Sequence, residues 1–112
     1  MRAGKLRHRI EVDEPITSQN DTGEEIVNFM PWPRKVSAEV HPLTGRERLL
    51  SNGILASFDT RIEVRWSPEN ARIDAKWRIL FAGIIYNIVS AEDVDFAHRR
   101  IEIMATSGAN EG

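Results

Sequence analysis

Apolar and polar side chains alternate along most of this chain. In Leu6-Arg7-His8-Arg9-Ile10-Glu11-Val12-Asp13, Leu6, Ile10 and Val12 fall on one face, and Arg7, Arg9, Glu11 and Asp13 on the other. A period of two predicts a half-buried strand. His8 shares the apolar side and is read as a hydrogen-bonded strand residue. The pattern returns at 34–41 with Val36, Ala38 and Val40 inward, and at 58–66 with Ile62, Val64 and Trp66 inward. It returns again at 98–105 with Ile101 and Ile103 inward. A shorter, weaker strand covers 25–30 and ends at Pro31-Trp32-Pro33, because proline cannot donate to a ladder. Segments 76–81 and 84–91 make a hairpin across Ala82-Gly83. Its second strand is apolar on both faces, which predicts cover on both sides, from a helix or a neighbouring subunit.

The polar stretches between these strands read as loops. Segment 15–24 contains the turn chemistry Asp21-Thr22-Gly23, 67–74 is a second loop, and 92–97 is acidic. One stretch differs. Thr44-Gly45-Arg46-Glu47 fits a capping box, Arg48, Leu49, Leu50 and Ser51 can continue it, and Asn52-Gly53 supplies a left-handed stop. This predicts one short helix over 44–52 with a mobile flank at 53–57. The expected fold is mainly β: a small antiparallel β-barrel or sandwich of about six to seven strands with one short inserted helix. Residues 1–105 form a single domain, and 106–112 a flexible tail.

Composition narrows the function classes. The 112 residues include no cysteine, which excludes disulfides, thiolate metal sites and a cysteine nucleophile. Fifteen basic residues face 17 acidic ones, and neither half of the chain is a basic module. A protein that grips nucleic acid through phosphates usually carries a basic excess. The longest apolar stretch, 79–86, falls well short of the roughly 20 residues of a membrane-spanning helix. No apolar segment follows the basic start Met1-Arg2-Ala3-Gly4-Lys5, so no secretory signal is expected. Among the basic residues arginine far outnumbers lysine. Either a GC-rich genome or pairing at protein interfaces gives that bias.

Catalytic constellations are weak. His8, His41 and His98 lie on different strands without metal-ligand spacing. Ser37, Ser57 and Ser90 lack the elbow that exposes a nucleophile. No phosphate-binding glycine motif occurs, and Glu92-Asp93-Val94-Asp95 lacks the spacing of a calcium loop. No catalytic residue, cofactor or metal is expected. Trp32, Trp66, Trp77, Phe81 and Tyr86 read either as a base-stacking platform or as core; Trp66 and Phe81 fall on apolar faces, which favours core. Trp32, between two prolines, reads as an anchor onto a partner or onto its own barrel. Arg2, Lys5, Arg7 and Arg9 make the most basic stretch, either a contact surface or a solvated strand face.

The order of these pieces resembles the head–tail joining proteins of tailed phages and gene transfer agents, also called head-closure or adaptor proteins. The resemblance runs through nearly the whole chain. It rests on Gly4-Lys5-Leu6-Arg7-His8-Arg9-Ile10, on Asp21-Thr22-Gly23-Glu24, and on Val36-Ser37-Ala38-Glu39-Val40-His41-Pro42-Leu43-Thr44-Gly45-Arg46-Glu47. Thr60-Arg61-Ile62-Glu63-Val64-Arg65-Trp66 and the closing hairpin from Trp77 to Ser90 complete it. The resemblance implies a non-enzymatic virion component assembled in the bacterial cytoplasm. Its implied partners are further copies in a ring, twelve-fold on the portal, a portal or adaptor above, and a tail-terminator or tail-tube protein below. DNA would pass without sequence-specific binding. The segment around 43–57 would face or close the channel, through Arg46, Glu47, Arg48, Leu49, Leu50, Asn52 and Gly53. Arg2, Lys5, Arg7, Arg9 and Trp32 are the candidate portal or subunit contacts. The alternative is a small barrel binding single-stranded nucleic acid or a peptide.

Overall fold

The computed structural model describes residues 6–43 and 58–107. Seven antiparallel strands lie within them: β1 (His8–Gln19), β2 (Glu25–Pro31), β3 (Val36–Pro42), β4 (Thr60–Arg65), β5 (Arg78–Phe81), β6 (Ile84–Asp93) and β7 (Arg100–Ser107). Their order is β2-β1-β3-β4-β7-β6-β5, and β1 also pairs with β5 through Glu11–Leu80, Val12–Ile79 and Asp13–Arg78. That pairing closes six strands into a barrel and leaves β2 outside it. The predicted helix at 44–52 and its flank lie outside the described residues.

Alternation fills the barrel. Ile10, Val12, Ile62, Val64, Ile79 and Ile103 are fully buried, joined by Val36, Ala38, Val40, Tyr86, Ile88 and Ile101. Each such aliphatic side chain contributes about 1.5–3 kcal/mol through burial. Ile62 and Ile103 face each other across β4 and β7, so cutting either to alanine opens a cavity costing about 2–5 kcal/mol. Ile73 and Trp77 join the core, and Trp32, Trp66 and Phe81 pack against it half-buried. His8 accepts a hydrogen bond at Nδ1 from the Val40 N–H (3.0 Å) and meets Phe81 edge-on, as its place on the apolar face predicted.

Two expectations need correction, and one concerns cover from outside the described residues. First, half of the loop expected at 15–24 is strand. β1 continues through Gln19 and pairs with β2 along its whole length, Asp13–Pro31 to Gln19–Glu25. The Trp32 N–H bonds the Val12 carbonyl (2.8 Å) and the Asn20 N–H bonds the Glu24 carbonyl (3.0 Å), so the even-numbered pairs exchange the hydrogen bonds. Pro15 and Pro31 occupy odd positions, where a backbone nitrogen points away from the partner strand. Only 20–24 turns. There the Asn20 side-chain oxygen accepts from the Thr22 N–H and hydroxyl and the Glu24 N–H, and Gly23 takes the left-handed φ of 86°.

Second, the outer face of β6 has no cover among the described residues, and the expected cover, a helix at 44–52 or a neighbouring subunit, lies outside them. Tyr86 and Ile88 point inward, whereas Ile84 and Val89 are about two-fifths exposed. A barrel strand has one outer face, and a register shift between Ile88 and Ser90 bends β6 across it. Third, Thr106 and Ser107, expected in the tail, belong to β7. The Ser107 N–H and hydroxyl both donate to the Asp59 carboxylate (3.0 Å each). Residues 108–112 lie outside the described part.

Candidate functional site

The barrel has two dissimilar ends. At one, the Leu43 N–H bonds the Asp59 carbonyl (2.9 Å), so segment 44–57 leaves and rejoins the barrel at one place. At the opposite end, the second half of β1 and all of β2 leave the barrel as a two-stranded arm. Every residue from Ile16 to Asn28 is exposed. Ile16, Ile26, Val27 and Met30 are 44%, 37%, 51% and 58% exposed, an unusual apolar display on a free hairpin.

The arm is fixed at its root on both faces. On one, the Trp32 indole N–H donates to Glu14 (3.1 Å), and Arg72 donates to the same carboxylate. Trp32 meets Trp77 edge-on at 5.7 Å, with the Arg34 and Arg72 guanidiniums over its ring. The Trp32 hydrogen bond, aided by Arg72, holds the Glu14 carboxyl below its ordinary value of 4.5. On the other face, Arg78 Nε lies 3.2 Å from Asp13 Oδ2, and its guanidinium is 4.0 Å from the centre of the Phe29 ring. Trp32 therefore anchors onto its own barrel.

Beside this root, Leu6, the run Arg34 to Ser37, Arg65 and the loop Ser67 to Asn70 line an open groove of about 590 Å³. A 3₁₀ turn, Asn70–Arg72, shapes its rim. Buried Asn70 donates from its side chain to the Arg65 carbonyl and from its backbone to Ser67 Oγ (2.9 Å each). Arg34 pairs with Glu69. Lys35 and Arg65 have no ion partner among the described residues.

The outer barrel face is a charge ladder. Register places Glu39, Glu63, Glu102 and Glu92 side by side across β3, β4, β7 and β6. Like charges opposed in this way are unfavourable. Arg7 (3.4 Å from Glu39), Arg100 (3.5 Å from Glu63) and Arg61 (3.9 Å from Glu102) lie among them. Much of the arginine excess thus pairs within the chain. Arg9 is exposed without an ion partner among the described residues. Arg2, Lys5, Arg46, Glu47, Arg48, Leu49, Leu50, Asn52 and Gly53 lie outside them.

Sequence reasoning missed the loop after β6 as a display. Asp95, Phe96 and His98 all take positive φ (58°, 53°, 55°), a conformation that Asp and His adopt more readily than the bulky Phe. The Asp93 carboxylate accepts from the His98 N–H (3.0 Å) and lies 3.2 Å from its Nε2, and the His98 ring stacks on Trp66 at 4.4 Å. This leaves Phe96 90% exposed.

The described residues thus form a closed barrel with a two-stranded arm at one end and most of its large aromatic side chains packed on the core. The family model described as "Phage head completion protein" matches residues 1–108, and the chain belongs to that family. It is thus a structural component of the virion, in a family that is not a class of enzymes. The chain is 25% identical to head completion protein gp7 of Enterobacteria phage HK97, over 99% of this chain and all of that protein. The solution structure of protein SF1141 from Shigella flexneri 2a superimposes with a TM-score of 0.77 at 28% identity, covering 99% of this chain and all of that one. A chain from the virion of a native gene transfer agent particle shares the fold, with a TM-score of 0.63 at 21% identity over 89% of this chain and 92% of that one.

Proposed function

We propose that this chain is a head–tail connector subunit. It forms a ring, twelve-fold on the portal, that docks below the portal or an adaptor, extends or closes the DNA channel and offers the surface on which a tail-terminator or tail-tube protein seats. The observation that carries the reading is the opposition of the two barrel ends, together with family membership. Segment 44–57 is tied at its root by the Leu43–Asp59 bond and can project towards a ring axis. The arm and groove at the other end remain for protein contacts. Arg46, Glu47, Arg48, Leu49, Leu50, Asn52 and Gly53 are the channel-facing residues in this reading, with Asn52-Gly53 as the hinge. Arg2, Lys5, Arg7 and Arg9 are portal or subunit contacts, and Trp32 serves such contacts by fixing the arm. A near-balanced charge lets DNA pass without being gripped.

Deletion of residues 49–54 tests the channel role. The expected result is a folded barrel that joins particles whose filled heads lose DNA. Normal DNA retention with the deleted protein in place rejects it.

A further inference from the structure

The arm and the groove carry opposite chemistry. From Ile10 to Pro33 the chain holds Glu11, Asp13, Glu14, Asp21, Glu24 and Glu25 and no lysine, arginine or histidine. Asp21, Glu24 and Glu25, at the arm's tip, have no cationic partner among the described residues. Exposed Ile26 follows the two glutamates; Met30 and Ile16 share its face by the period of two, while Glu25 turns to the other face. The arm thus offers an apolar stripe ending in carboxylates. The groove offers the converse, an apolar floor of Leu6, Val36 and Pro68 beside Lys35 and Arg65.

Within one chain the two do not meet, because the arm leaves the barrel beside the groove with Ile16 to Asn28 in solvent. We infer that the arm of one copy lies in the groove of the next. This rests on the ring reading and adds the contact that builds the ring. Arm and groove are different surfaces, so the interface is heterologous and repeats around a closed ring. Apolar contact between Ile26 and the groove floor supplies affinity, and the negative tip, with Glu24 towards Lys35 and Arg65, sets register and excludes the reversed docking. Anchoring by Glu14, Trp32 and Arg72 pre-orders the arm, which lowers the entropic cost of docking.

The natural chain has no cysteine, so an introduced pair reports cleanly. A chain carrying both Ile26→Cys and Ser37→Cys is assembled into particles, oxidised and run without reductant. Arm-to-groove docking gives a ladder of covalent multimers, whereas Ile26→Cys alone stops at a dimer. A double-cysteine chain that stays monomeric in particles containing it overturns the inference and leaves the ring reading standing. A chain absent from the particles defeats both.

Charge reversal is the second arm of the test. Glu24→Lys with Glu25→Lys, or Lys35→Glu with Arg65→Glu, is expected to lower incorporation about tenfold or more. Mixing the two variants restores it, because each arm then finds an opposite groove. Variants that fold by circular dichroism and incorporate like the parent contradict the docking.

Discussion

Arg78 and Asp13 are register partners on the two strands that close the barrel, and their side chains meet at 3.2 Å. Asp13 is 4% exposed although it lies on the outer face of β1, because Arg78 and the Phe29 ring close over it. One contact thus joins barrel closure to the root of the arm. Removing one member of a buried pair leaves the other charged and unpaired. Arg78→Ala is expected to cost about 3 kcal/mol in urea unfolding, with Asp13→Leu plus Arg78→Met recovering most of it. A cost under 1 kcal/mol for Arg78→Ala contradicts this role.

The clamp at the arm root responds to acid. The Trp32 indole N–H favours the ionised Glu14 most, burial opposes it, and Arg72 adds to the Trp32 effect, so the folded pKa lies below 4.5. A depressed carboxyl pKa stabilises above the unfolded value, and the contribution disappears as pH falls through the folded value. Tryptophan fluorescence is expected to shift in that acid range before global unfolding, and Glu14→Gln is expected to remove the step. An unchanged step in the variant assigns it elsewhere.

Tyr86 adds a sensitivity to alkali. Burial, and next the Asp59 charge, raise its pKa above 10.0. Here the unfolded chain ionises before the folded one, so the contribution is complete below pH 10 and is lost as pH rises above it. Stability of the natural chain should fall more steeply between pH 9.5 and 11 than that of Tyr86→Phe, as read by denaturant midpoints. Parallel curves argue against it.

Asp59 fastens the root of the 44–57 excursion. Its carboxylate accepts from Thr60, from the Ser107 N–H and from the Ser107 hydroxyl, while its carbonyl accepts from Leu43. Charge-assisted hydrogen bonds contribute about 1.5–3 kcal/mol each. Asp59→Ala is expected to speed amide exchange at Ser107 and Leu43 well before the core. Exchange confined to global unfolding rejects a local fastening.

The strands were legible because a one-sided core imposes a period of two, and Ile62, Val64, Ile101 and Ile103 sit where alternation puts them. The arm was not. Pro15 reads as a breaker until the register shows its nitrogen pointing away from β2. Asp13 reads as solvated until Phe29 and Arg78, distant in sequence, cover it. The bulge after Ile88 hides which side of β6 is open. The one-sided charge of 10–33 lay in plain sight, but the groove that answers it is assembled from Leu6, 34–37 and 65–70, which no local pattern unites. The positive φ values that display Phe96 leave no trace in residues that ordinarily avoid them.

Imaging of purified particles by cryo-electron microscopy tests the central claim most directly. The account predicts a closed ring of this chain between portal and tail, with Leu43 and Asp59 towards the channel axis and each arm on the neighbouring copy. Particles in which this chain is absent from that junction, or sits there as isolated copies with 44–57 turned away from the channel, contradict it.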